Sequence, residues 1–167
     1  MRIRFWLTRS NLMNLASLLV QFTPGAKTHK ISIPPSWHQG RTSYGGLSSV
    51  LAYQAAKLAA DRGAAIIDIN FGCPVRKVVG QLAGSALMRE VPLAVRLMEA
   101  TVKAVDVPVT VKMRMGWDHD SLNAPELSRI AEDLGVQMIT VHGRTRNQMY
   151  KGEADWAFVR KVRDAVS

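Results

Sequence analysis

The chain has 167 residues, 47% of them hydrophobic, which is enough for one ordinary domain with a core and too few for a full eight-unit barrel of roughly 250 residues. Its single cysteine excludes an internal disulfide, and no Cys/His pairs stand at zinc-finger spacing, so a cytoplasmic setting without a structural metal is expected. The net charge of +9 favours a polyanionic partner.

In chain order, residues 1–60 carry seven Lys/Arg and no Asp or Glu, against fifteen and thirteen in the remainder, so most of the basic excess is N-terminal. Arg2, Arg4 and Arg9 precede an apolar run at 12–20 that superficially imitates a presequence. Asn14 and Ser17 interrupt it and it is too short to span a bilayer, so an amphipathic helix over 11–22 is expected and no membrane association. Seven Pro and Gly residues between 23 and 46 predict an irregular leader up to residue 46.

From residue 47 the character changes. Leu51, Ala52, Ala55, Ala56, Leu58 and Ala59 predict a helix closed by Gly63. The β-branched run 64–69 follows and predicts a strand buried on both faces, stopped by Gly72 and Pro74. A glycine-bearing basic loop at 75–84 and a short helix at 85–88 come next. Pro92 opens a longer helix with Val95, Met98, Val102 and Val105 on one face. A strand at 107–114 ends at Gly116, and a helix opening at Asn123 or Ala124 runs to Gly135. The strand 137–142 ends at Gly143, and Asp155 leads into a last helix carrying Phe158, Val159, Val162 and Val166.

This helix and strand alternation predicts an α/β fold with a parallel sheet and right-handed crossovers. Each strand ends near a glycine with reactive side chains beside it: Asn70 and Cys73, Lys112 and Arg114, His142 and Arg144. Barrels converge such strand ends on one site. A lone cysteine is usually a small buried hydrophobe. Cys73, between Gly72 and Pro74 at a strand end, fits a functional thiol better, as nucleophile or as proton donor. Lys112 interrupts an apolar strand, where a lysine must find a partner, face an anion or snorkel to the rim. His142 ends another, as a core histidine or a ligand contact. Together the three point to an anionic, electron-accepting ligand such as a phosphorylated flavin. Arg76 and Lys77, and Arg144, Arg146 and Lys151 with Tyr150 among them, form two basic loops suited to phosphate contact or simply to solvent.

Several linked motifs carry a resemblance. Asp68-Ile-Asn-Phe-Gly-Cys-Pro74, Gly84-Ser-Ala-Leu-Met88, Pro108-Val-Thr-Val-Lys-Met-Arg-Met-Gly116, Val141-His-Gly-Arg-Thr-Arg146 and Ala154-Asp-Trp156 occur in order. From about residue 51 onward the chain resembles the bacterial tRNA-dihydrouridine synthases. The resemblance implies a TIM (β/α)8 flavoprotein that uses FMN, recharged by NADPH, to reduce the 5,6 double bond of uridine in tRNA. It implies Cys73 as the general acid at carbon 5, Lys112 and His142 as flavin contacts, Asn70 against flavin and uracil, and Arg144 near the RNA. The family's opening Ala-Pro-Met strand, its Gln-Leu-Gly strand and its later Asn-Gly and Gly-Arg phosphate contacts have no counterpart in these residues. A partial flavin-binding barrel over 47–167 is therefore expected, with a second chain as one way of completing it. Residues 1–46 match nothing in the family, and their lack of acids suits a shifted reading frame or an unrelated leader. Two rival readings are a noncatalytic RNA-binding remnant, separated by flavin binding, and a small-molecule flavin oxidoreductase of dihydroorotate type, separated by assays with tRNA against free pyrimidines.

Overall fold

The computed structural model describes residues 38–39, 42–43 and 45–167, with side chains from residue 49 onward in the second unit. The expected helix at 11–22 lies outside the described residues. Two units are distinguished, Met1–Tyr44 and Gly45–Ser167. In the first, β1 (His38–Gln39) pairs antiparallel with β2 (Thr42–Ser43), a small hairpin within the stretch expected to be irregular. Gly45 and Gly46, assigned above to that same irregular stretch, instead open the first helix of the second unit.

The second unit alternates as expected. Its elements are α1 (Gly45–Asp61), β3 (Ile67–Phe71), a single helical turn α2 (Arg76–Val79), a 3-10 helix (Gly84–Arg89), α3 (Val91–Val102), β4 (Val109–Arg114), α4 (Ala124–Asp133), β5 (Met138–His142) and α5 (Trp156–Asp164). The strands form one parallel sheet in the order β3-β4-β5, so that each successive strand lies beside the last, as in an arc of a (β/α) barrel.

Register decides which side chains share a face. Asp68 pairs with Thr110 and Asn70 with Lys112, while Thr110, Lys112 and Arg114 pair with Met138, Thr140 and His142. One face of the sheet thus carries Asp68 and Asn70, then Thr110, Lys112 and Arg114, then Met138, Thr140 and His142. The other carries Ile67, Ile69, Phe71, Val109, Val111, Met113, Ile139 and Val141, all in the core or packed on it. Helices cover this apolar face, and Ala94, Met98, Leu127 and Ala131 are wholly buried against it.

Three expectations change in detail. The first strand lies at 67–71, not 64–69, and alternates: Asp68 and Asn70 are exposed, Phe71 is buried and Ile66 is 55% exposed. Among the described residues it is an edge strand with one covered face, and β-branched composition alone does not distinguish one covered face from two. In α3 the buried stripe is Ala94, Met98 and Thr101, displaced from the expected Val95 face, and Val105 lies beyond the helix end. Thr101 can be buried because its hydroxyl donates to the Leu97 carbonyl at 2.8 Å, a bond that hydrophobic periodicity does not reveal. The loop at 75–84 also contains the turn α2.

The β4–α4 turn closes tightly. A Cβ on Gly116 would lie 2.0 Å from the Ser121 carbonyl oxygen, and the Ala124 amide donates to the Met115 carbonyl at 3.1 Å, so neither backbone segment can retreat. Gly116→Ala is expected to destabilise the chain by about 3 kcal/mol in urea unfolding, at the upper end for overpacking. A loss below about 0.5 kcal/mol would mean that the turn yields.

Candidate active site

At the carboxyl end of β3 the chain needs a sharp turn, and Asn70 builds it. Its side-chain oxygen accepts from the Gly72 amide at 2.9 Å and the Cys73 amide at 3.1 Å, the local competition with strand pairing at which asparagine excels. The Cys73 carbonyl accepts from the Ser85 amide at 3.0 Å and the Ser85 hydroxyl at 2.9 Å. Ser85 is fully buried. Gly84, at φ +59°, lies so close that a Cβ there would sit 2.6 Å from the same carbonyl. Cys73 is therefore held at both its amide and its carbonyl, and its half-buried thiol leaves a fixed backbone.

Lys112 is the exposed member of β4, beside Asn70 and Thr140 in the register. Its ammonium makes no hydrogen bond or ion pair with any described residue. Asp68, on the row below, is occupied by the Thr110 hydroxyl at 2.6 Å.

Arg114 received no separate role from the sequence, yet it organises the rim. It is only 2% exposed and has no carboxylate partner among the described residues. Its Nε donates to the Gly72 carbonyl at 2.9 Å, and Nη1 donates to the Thr145 and Met149 carbonyls at 3.0 and 2.7 Å. Its guanidinium carbon lies 5.5 Å from the Tyr150 ring centroid. Burial pulls its pKa below the ordinary arginine value, but a guanidinium keeps its charge at any physiological pH. The one signal in the sequence was a second cation closing an otherwise apolar strand.

His142 stands on the same row as Arg114, half-buried. The Arg144 Nη1 lies 3.0 Å from its Nε2. A guanidinium only donates, so Nε2 accepts and the ring is neutral with its proton on Nδ1. Burial first, then the charges of Arg114, Lys112 and Arg144, hold its pKa below the usual histidine value. Arg144 also donates through Nε and Nη2 to the Gly152 carbonyl at 3.2 and 2.8 Å, so much of its donor capacity is spent inside the protein.

The structure thus brings Asn70, Cys73, Lys112, His142 and Arg144 to the carboxyl ends of three adjacent strands. Asn70 spends its acceptor on the turn and retains its amide NH2, which has no partner among the described residues. The site is electropositive: Lys112, Arg114 and Arg144 all bear on His142, and no carboxylate pairs with any of the three among the described residues. Such a site can hold a phosphate or a reduced, electron-rich ring, and can present a thiol proton to a bound base. Among the described residues no group of three or more His, Cys, Asp or Glu could hold a metal ion.

The family model "Dihydrouridine synthase (Dus)" matches residues 44–167. The chain is 60% identical over 114 residues to a probable tRNA-dihydrouridine synthase from Rhizobium leguminosarum bv. phaseoli, covering 68% of this chain and 36% of that protein. It is 63% identical over 113 residues to one from Rickettsia prowazekii, covering 68% and 35%. To tRNA-dihydrouridine synthase B of Xanthomonas campestris it is 50% identical over 113 residues, covering 68% and 34%. The chain therefore spans about a third of the length of the curated relatives it matches.

Two outcomes follow from this geometry. Arg114→Met should cost at least about 3 kcal/mol, since three carbonyls lose a charged donor. It should also speed alkylation of Cys73, the only thiol in the chain, beyond what the loss of global stability accounts for; an unchanged rate in the folded variant would separate the clamp from the cysteine. For His142 the folded pKa is lowered, so between neutral and mildly acid pH the unfolded chain binds more protons. Stability should fall as pH drops through the ordinary value of about 6.5 and level off once the folded ring is protonated. His142→Gln, which keeps an acceptor for Arg144, should flatten that part of the urea-unfolding pH profile, whereas parallel profiles would assign the dependence elsewhere.

Proposed function

Because this chain belongs to the dihydrouridine synthase family, we propose that its site serves the flavin-dependent reduction of uridine to 5,6-dihydrouridine in tRNA, as part of a cytoplasmic enzyme. The observation that carries this reading is the doubly clamped Cys73 peptide beside a lysine that has no partner among the described residues, on adjacent parallel strands.

The donor set fits FMN. Lys112 is a cation without a partner among the described residues, with the neutral His142 one row above and the Arg114 and Arg144 charges acting on that histidine. Lys112 and His142 would hold the flavin, with the ammonium stabilising negative charge on it. The chemistry that FMN supplies when bound is hydride delivery to carbon 6 of uracil, and NADPH is the reductant that restores it.

The chain's own residues account for the rest. Hydride addition leaves carbanion character at carbon 5, which needs a proton from a fixed direction. Cys73 Sγ supplies that proton as general acid, and the clamped peptide holds it in place. The NH2 of Asn70 is available to a uracil carbonyl while its oxygen keeps the turn. Arg144 holds His142 in the neutral tautomer and faces the RNA side. A base inside the folded tRNA must be turned out of its stack to reach this rim. The outer edges of β3 and β5 have no strand partner among the described residues, and a second chain is one means of covering them.

Titration with FMN, followed by quenching of flavin fluorescence, tests the reading. The chain should bind it, and Lys112→Ala should weaken binding at least about tenfold, the loss of roughly one charge-assisted contact. Where turnover on tRNA is measurable, Cys73→Ala should abolish dihydrouridine formation and leave flavin binding intact. Absence of flavin binding would sink the catalytic reading and favour the noncatalytic RNA-binding one.

A further inference from the structure

A second basic constellation joins Arg89 and Trp117, which have had no role so far, to the basic loops at 76–77 and 144–151. Trp117, in the loop after β4, has the Arg89 guanidinium carbon 4.8 Å and the Arg146 guanidinium carbon 4.6 Å from its ring centroid. Arg89 comes from the end of the 3-10 helix and Arg146 from the loop after β5, so one half-buried indole gathers cations from two other rim segments. Arg146 also donates to the Pro74 carbonyl at 3.2 Å, next to Cys73, which anchors the cluster beside the thiol loop. Arg76 and Lys77 follow two and three residues after Pro74, both exposed.

Charge bookkeeping makes this cluster unusual. Two like charges stacked on one ring repel each other. Neither guanidinium, nor Arg76 or Lys77, has a carboxylate within ion-pairing distance among the described residues. Each stack returns roughly 0.5–1 kcal/mol at an exposed site, which orients the arginines without neutralising them. Arg146 spends further donors on Pro74 and on the Asn147 side chain at 3.1 Å. The Arg89 side chain makes no hydrogen bond among the described residues, so its fork of N–H donors is free. A planar guanidinium, fixed by stacking and otherwise unpaired, is shaped for a phosphodiester.

We propose that Arg89, Trp117 and Arg146, continued by Arg76 and Lys77, form a phosphate-binding strip that holds the RNA backbone next to the nucleotide presented to Cys73. This rests on the reading above, in which the substrate is tRNA. Trp117 acts as the platform, Arg89 as the principal phosphate contact, and Arg146 as the tie between strip and thiol loop. None of these residues touches the reacting atoms; they position the strand.

The test is tRNA binding by the intact chain, measured by fluorescence anisotropy over a salt series. Arg89→Gln should weaken binding about three- to tenfold at moderate salt and lower the magnitude of the log K against log salt slope by about 1. Arg96→Gln, an exposed arginine in the middle of α3 with the same charge change, should do neither. Trp117→Leu should weaken binding while leaving the number of charges unchanged; since Trp117 is half-buried, circular dichroism and urea unfolding check that this variant folds. Equal behaviour of Arg89→Gln and Arg96→Gln overturns the proposal, as does a chain that binds no tRNA. Neither result bears on the flavin site, because FMN titration of Arg89→Gln should match the parent. Failure of the flavin reading shows instead as no Lys112-dependent FMN binding.

Discussion

The rim of this fold depends on one buried cation. Arg114 sits at the carboxyl end of the central strand, almost without exposure, and answers its burial with three backbone carbonyls instead of a carboxylate. One acceptor belongs to the turn after β3 and two to the segment after β5. This rigid fork therefore links two loops that are otherwise joined, among the described residues, by the Arg146 bond to the Pro74 carbonyl. Backbone bonds reinforce it: the Met115 amide donates to the Arg144 carbonyl at 3.3 Å and the Arg146 amide to the Gly116 carbonyl at 3.0 Å. A lysine at 114 could not span the three acceptors, since it offers a point charge and not a planar array.

From that constraint the thiol site follows. The Gly72 carbonyl is fixed by Arg114, the Gly72 and Cys73 amides by Asn70, and the Cys73 carbonyl by Ser85. Four consecutive backbone groups around the cysteine are thus satisfied from outside the local turn or by the residue that starts it. A side chain on such a backbone loses little entropy on meeting a substrate, which is the physical content of preorganisation. Asn70 here does structural work with its oxygen, so its loss would disturb the turn as well as any ligand contact.

The sheet divides the labour between its faces. The apolar face is covered by helices and supplies the stability. The other face is polar, carries Lys112 uncommitted, and rises toward a neutral histidine ringed by cations. In a closed barrel such a face would point inward, and the charge pattern would be concentrated by the low dielectric of the enclosure. The basic loops at 76–77 and 144–151 and the indole stack at Trp117 extend the same electrostatic character along the rim.

The order of elements was legible in the residues alone, because strand composition, helix periodicity and the stop signals at Gly63, Gly116, Gly135 and Gly143 are local properties of the chain. So were the strand ends that carry Cys73, Lys112 and His142, and the linked motifs around them identified the family. The tertiary structure decided what depends on residues far apart in sequence. Arg114 and Gly72 are 42 positions apart, Ser85 and Cys73 are 12, and Arg89, Trp117 and Arg146 come from three separate segments, one of them the end of the 3-10 helix. It also decided which face of β3 is covered and which stripe of α3 is buried. Periodicity records how apolar a side chain is, but whether Thr101 or Asp68 has a partner depends on another segment's position. Hydrogen bonds are directional and short-ranged, so their pairing exists only once the strands are in register.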